Sequence, residues 1–385
     1  MSTTLSDRRS GPAAAAVAPQ AASATAARRA ARLPGLTGLR FFAALLVFVY
    51  HATYVPVFAD ASFSQHYAFL AGKAGNLGVS FFFVLSGFVL TWAARADEKA
   101  PRFWRRRFFK IFPSHAVVFV LALALLPLSG MPLKPLEATA NFLLVQAWLP
   151  DSDFIVYSVN GVTWSLSVEL AFYAAFPLLV RLVRAIRPER LWAWTAAVVL
   201  AALAVPAVTS VTLDGPPNMM VPGVSWEQLW TGYFCPPVRA LEFVAGMLTA
   251  RLVMEGRWKL RIGVLPATVL VGAAYAVSLY APVVFGFAAL YVAPLAVLIA
   301  AVARRDIEGR STWMAGRPMQ WLGEASYAVF LLNLLVLMNL HPLLGAPAWG
   351  TAAGILYHVA TLALTVVLAR LVYVLVERSA MRRLG

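Results

Sequence analysis

Ten apolar runs, each close to the ~20 residues that a helix needs to cross a hydrocarbon core, dominate the chain from Leu36 onward. They lie at about 36–56, 76–94, 112–129, 164–183, 191–210, 235–253, 262–281, 284–303, 321–341 and 352–376. Between them the positive charges alternate sides. One set of loops holds Arg95, Lys99, Arg102, Arg105, Arg106, Arg107 and Lys110, then Arg184, Arg187 and Arg190, then Arg257, Lys259 and Arg261, then Arg304, Arg305, Arg310 and Arg317. The other set holds only Lys73 and Lys134. This one-sidedness is the positive-inside pattern. It predicts an all-α integral membrane protein of about ten transmembrane helices with both termini cytoplasmic. Segment 137–149 is apolar but short, and reads as an interfacial or re-entrant piece.

Composition narrows the function classes. Of the 385 residues 61% are hydrophobic and only 13% charged, against about 25% charged in soluble domains. The net charge of +15 is accounted for by loop blocks beside apolar runs, so nucleic-acid binding is not expected and the partner is a lipid bilayer. The single cysteine, Cys235, excludes an intramolecular disulfide, and the five scattered histidines have no HExxH or HxH spacing, so no metal site is expected. There is no Walker A motif, no GxGxxG opening a helix and no GxSxG elbow. Residues 1–33 are rich in Ala and Arg and lack the apolar core of a signal peptide. They read as a disordered cytoplasmic tail. Residues 34–378 read as the membrane domain, and 379–385 as a short basic tail.

Ionisable residues inside apolar runs carry the functional signal. A charge at membrane depth costs at least about 2.5 kcal/mol, so it faces protein or a wet cavity. The first run, LTGLRFFAALLVFVYHATYVP, carries Arg40 and His51. Eleven residues put them roughly 16 Å apart and near one stripe. Arg40 alone could snorkel to the inner interface. His51 lies too far from that end to do so; it is either a satisfied buried group or a general base. Ser165, Glu169 and Tyr173 recur every four residues in the fourth run, and Arg239 and Glu242 stand at i, i+3 in the sixth. His51, Glu169, Arg239 and Glu242 fall at similar depth, either as a polar cavity or, for the last two, as an ion pair that fixes helix registry. Tyr327 and Asn333 in the ninth run could line the same cavity. The block FWRRRFFKIFP, with Arg105, Arg106, Arg107 and Lys110, anchors a helix at the inner interface or receives a phosphorylated cytosolic ligand.

Taken in order, Arg40 and His51 with ten residues between them, GVSFFFVLSGFVLTW, FWRRRFFKIFP, TWSLSVELAFY, PPVRALEFVAGM, LGEASYAVFLLN and the closing YVLVERSAMRR resemble the membrane-bound acyltransferase-3 family over about residues 33–378. The resemblance implies an enzyme that moves an acyl group from acyl-CoA, a co-substrate rather than a bound cofactor, to a hydroxyl of an acceptor. Family acceptors include cell-surface sugars and macrolide- or ansamycin-type natural products. Some members add a hydrolase-like C-terminal domain, and this chain stops after the tenth run. The length and the Ala/Arg-biased tail favour the natural-product branch in a bacterial plasma membrane. It also implies the site roles: His51 as base, or itself acylated, Glu169 as the carboxylate that orients it, Arg40 steering phosphates or tuning the cavity, and the four basic residues holding CoA. Ser165, Tyr173 and Asn333 are the candidate oxyanion donors. Many members carry His where this chain has Asn333. Two other classes compete: a proton-coupled transporter or flippase using the same buried residues, and a lipid or pH sensor switched by His51.

Overall fold

In the computed structural model, which describes residues 32–383 apart from Ala96, Met219 and Ser311, every expected run contains a helical stretch. The helices are α1 (Pro34–Ala52), α2 (Ala61–Ala71), α3 (Ala74–Ala93), α4 (Ala100–Ser129), α5 (Pro135–Phe142), α6 (Trp164–Ala185), α7 (Leu191–Thr212), α8 (Pro236–Met254), α9 (Val264–Tyr280), α10 (Val292–Ile307), α11 (Arg317–Leu343), α12 (Thr351–Val372) and α13 (Arg378–Arg383). The tail expected at residues 1–33 lies almost wholly outside the described residues. Among those described, seven stretches are long and apolar enough to cross a bilayer. The other three expected spans are α8, which carries Arg239, Glu242 and Arg251, and the shorter α9 and α10. The described residues contain two isolated β-bridges, of which Phe58 with Trp349 ties the segment after α1 to the segment after α11.

Helix starts follow local chemistry. Proline occupies the first turn of α1, α4, α5, α8 and α11, where its missing N–H costs nothing and its fixed φ suits the helix. Two boundaries differ from expectation in ways that matter. α4 begins at Ala100, not near 112, so the basic block is helical; its 30 residues span about 45 Å, well beyond a ~30 Å hydrocarbon core. α10 begins at Val292, eight residues late, because Pro282 and Gly286 bracket a 3-10 turn over Val283–Gly286. Segment 137–149 is short helix α5 plus a 3-10 turn at Gln146–Trp148.

α3 and α8 form the buried axis of the bundle, with α1 packed between α3 and α11. The axis is tight because glycines face backbone. A Cβ on Gly87 would stand 1.9 Å from the Phe243 carbonyl oxygen, and one on Gly246 1.9 Å from the Val84 carbonyl oxygen. Close approach through small residues is the usual way helices associate in lipid. Gly87→Ala and Gly246→Ala are each expected to destabilise the purified protein by about 1–3 kcal/mol, the range for overpacking. Gly272→Ala, on outer helix α9 with no neighbour within 4 Å, is the control. Heating in detergent followed by size-exclusion chromatography reads the difference; equal melting of all three would refute the tight axis.

Candidate active site

At the bundle end that carries the basic loops, a cavity of about 550 Å³ opens between α1, α3, α4, α6 and α11. Its size is that of a small-molecule site. Arg40, Arg107, Lys110, Glu169, Tyr173 and Tyr327 are among its walls. Arg107 comes from one face of α4, and its guanidinium lies 5.6 Å from the Phe103 ring centroid and 5.9 Å from that of Tyr173, a cation–π arrangement. Its Nε has no hydrogen-bond partner. Lys110 lies one turn on, within electrostatic reach of Arg40, Arg107, Glu377 and Glu169. The other half of the basic block turns away, because a helix presents only one stripe inward. Arg105 is exposed and Arg106 pairs with Glu98, so neither Arg105 nor Arg106 lines the cavity, as the sequence had suggested they would.

Glu169 is held from two sides. Its Oε1 accepts from Ser86 Oγ at 3.1 Å and from the Tyr173 hydroxyl at 2.6 Å. Deeper in the bundle a second, smaller chamber of about 50 Å³ shares Arg40, Phe82, Glu169 and Tyr327 with the large cavity and adds Val79, Phe83, Leu166 and Phe330. Ser165 also borders it, but its hydroxyl donates to the Val162 carbonyl at 3.2 Å. The Tyr327 hydroxyl donates to the Ile111 carbonyl at 3.0 Å. The hydroxyl hydrogens of Ser165 and Tyr173 are thus already given to protein acceptors, which removes both as ready oxyanion donors.

His51 sits beyond the chamber, nine-tenths buried. Its Nδ1 is 2.5 Å from Asn333 Oδ1. The Asn333 amide nitrogen donates to the Phe330 carbonyl, a group that can only accept, so the amide oxygen must be the atom turned to the imidazole. Nδ1 therefore carries a proton and donates, so that when the ring is neutral the Nε2 lone pair is unshared by any protein group. The orienting partner is an amide from α11, not Glu169, whose Oε1 accepts from Ser86 and Tyr173. The family resemblance implied Glu169 in this role; helix phase decides otherwise. Tyr50 and Tyr54 flank the ring at centroid distances of 5.1 and 5.7 Å.

Arg239 and Glu242 stand apart from this system. Arg239 Nε lies 2.9 Å from Glu242 Oε2 with both side chains buried, and the pair borders a separate pocket of about 20 Å³ near Phe287 and Gly232. The guanidinium lies 5.0 Å from the centroid of Phe83, whose ring divides it from the chamber. The common cavity expected for His51, Glu169, Arg239 and Glu242 is therefore three separate environments. Three participants escaped the sequence reading: Phe82 and Phe330, hidden among many apolar neighbours, and Glu377. Glu377 is buried in a π-turn over Tyr373–Glu377, and its one signal was an acidic residue closing the last apolar run.

Fold and site together define a multi-pass membrane protein with a cation-walled internal cavity and, elsewhere in the bundle, a buried, oriented imidazole. Residues 33–374 match the acyltransferase domain model of the acyltransferase-3 family, and the chain belongs to that family of membrane O-acyltransferases. It is 39% identical over 368 residues to the acyltransferase MdmB of Streptomyces mycarofaciens, across 93% of this chain and 94% of that protein. The peptidoglycan O-acetyltransferase OatA of Listeria monocytogenes is 25% identical over 345 residues, which is 81% of this chain and 50% of that protein. OatA of Staphylococcus aureus matches over 165 residues at 28% identity, 38% of this chain and 24% of its own length. No solved structure matches.

Proposed function

We propose that this protein transfers an acyl group from acyl-CoA to a hydroxyl of a macrolide-like natural product or a cell-surface sugar, in a bacterial plasma membrane with the basic loops in the cytoplasm. The observation that carries the reading is the Asn333-oriented His51 beyond a chamber that shares Arg40, Phe82, Glu169 and Tyr327 with the Arg40–Arg107–Lys110 cavity. CoA is a polyanion of the cytosol, and arginine forks match phosphate oxygens. Arg107 and Lys110 hold the phosphates, while Arg40, at the junction of the two spaces, steers the thioester inward. Nε2 of His51 takes the proton of the acceptor hydroxyl as its oxygen attacks the thioester carbonyl. Collapse breaks the carbon–sulfur bond, and the imidazolium returns the proton to the departing thiolate, leaving an ester and free CoA. Asn333 keeps the imidazole in the reactive tautomer throughout, as the carboxylate does in a serine-protease triad. Support for a hydroxyl acceptor comes from the OatA relatives, whose names specify O-acetyl transfer.

Release of free CoA thiol by purified protein in nanodiscs, with acyl-CoAs of increasing length and a panel of hydroxylated macrolides and sugars, tests the reading. Arg107→Ala and Lys110→Ala are each expected to raise KM for acyl-CoA about tenfold or more, the scale of a hydrogen bond to a charged group, with kcat changed far less. Arg105→Ala, facing outward, is expected to leave KM unchanged. Transbilayer movement of unmodified substrate without CoA would replace the enzyme by a transporter.

A further inference from the structure

The inner chamber has the dimensions of a measuring device. Apolar cavities of about 150 Å³ accommodate benzene, six carbons at ~25 Å³ each. On that scale the chamber of about 50 Å³ holds two or three carbons. Its depth follows from contacts on two helices. Gly78, the residue before Val79, packs on the Ala43 carbonyl and the Val47 side chain, and Arg40 is a wall, so the chamber lies along α1 one to three turns before His51. On α11, Phe330 is three residues before Asn333 and gives its carbonyl to the Asn333 amide. A group lodged beside Phe330 is, at its nearest, about one helical turn from the imidazole. Phe82 and Phe330 meet edge to face, with centroids 5.8 Å apart at 76°. The far wall, Phe83, is backed by Phe172 at 5.1 Å and 81°. Phe82 borders both spaces and forms the neck; Phe330 borders only the inner one.

We infer that the Phe330 ring sets the length of the acyl group this protein accepts, by closing a chamber that fits two or three carbons about one helical turn short of His51. The inference rests on the acyl-CoA reading above. A longer chain must displace an aromatic ring held by its neighbours, and interiors packed this densely yield to an extra methylene only at a cost in fit. Discrimination of 10- to 200-fold per methylene is what an apolar pocket supplies. Removing the ring in Phe330→Ala frees six carbons of volume and abolishes the limit.

The test needs no acceptor. Displacement of radiolabelled acetyl-CoA from purified protein in nanodiscs is measured with free CoA and with acetyl-, propionyl-, butyryl- and hexanoyl-CoA. For the wild type, hexanoyl-CoA is expected to bind at least tenfold more weakly than acetyl-CoA, and in Phe330→Ala the two are expected to come within about threefold. Val79→Leu, which narrows the same chamber from α3, is expected to move the ratio the opposite way and to penalise propionyl-CoA. A general loss of packing would weaken every donor alike, free CoA included. Equal affinity for acetyl- and hexanoyl-CoA in the wild type, or an unchanged ratio in both variants that still bind CoA, overturns the inference while leaving the donor intact. Failure of the wild type to bind CoA or any acyl-CoA overturns the donor reading, and the inference with it.

Discussion

His51→Ala is expected to lower turnover by about 100- to 10,000-fold, the range for loss of a positioned general base, in a protein that folds and binds acyl-CoA normally. The side chain is buried but makes only one hydrogen bond, through Nδ1, and its Nε2 meets no protein partner. Truncation therefore removes the reactive atom while the surrounding helices keep their contacts. Asn333→Leu should show a smaller loss, of about 10- to 100-fold, because the imidazole is still present but its tautomer is no longer fixed. Restoring an acceptor with Asn333→Asp should recover part of that loss, which a purely steric role for Asn333 would not allow. The measurement is kcat at saturating donor, normalised to folded protein by size-exclusion and by displacement of labelled acetyl-CoA. Undiminished turnover in well-folded His51→Ala would end the base assignment.

The bundle was largely legible because bilayer thickness and the positive-inside bias act on the sequence directly: length and loop charge locate helices without any knowledge of what they pack against. α9 and α3 show where this stops. Both are apolar on all sides, yet α9 buries only Ala267 and Ser278 while α3 is buried along nearly its whole length. In lipid an outward-facing Leu is as well solvated as an inward one, so periodicity no longer reports the core. The site was legible as a set of residues and not as a set of pairs. His51, Arg40, Glu169 and Asn333 stood out as polar groups at membrane depth, but depth is one coordinate of three. Which carboxylate or amide meets the imidazole depends on helix rotation, and α11 rather than α6 presents its polar face there. The basic block illustrates the same limit. Four charges in six residues look equivalent in sequence, and the 100° step of a helix sends two inward and two outward.

Helix rotation also decides what Arg239 and Glu242 do. Arg239→Leu is expected to cost about 3–5 kcal/mol of stability, the cost of stranding one member of a buried ion pair. The guanidinium is fully buried; it lies 2.9 Å from Glu242, donates to the Phe287 carbonyl at 3.3 Å and reaches Ser80 Oγ at 3.5 Å. Without it the Glu242 carboxylate has no counter-charge in the centre of the bundle. Replacing both partners by apolar residues of similar size removes the stranded charge, and such exchanges are often neutral or stabilising. Arg239→Leu with Glu242→Leu should therefore melt near the wild-type temperature. Because the Phe83 ring separates the pair from the chamber, the double variant is also expected to keep turnover within a few-fold of wild type. Heating in detergent with size-exclusion readout, followed by a turnover assay on the surviving protein, measures both quantities. A double variant that is stable yet inactive would place the pair in the chemistry; one as unstable as the single variant would mean that the ion pair itself, and not merely the absence of a stranded charge, holds α8 in register.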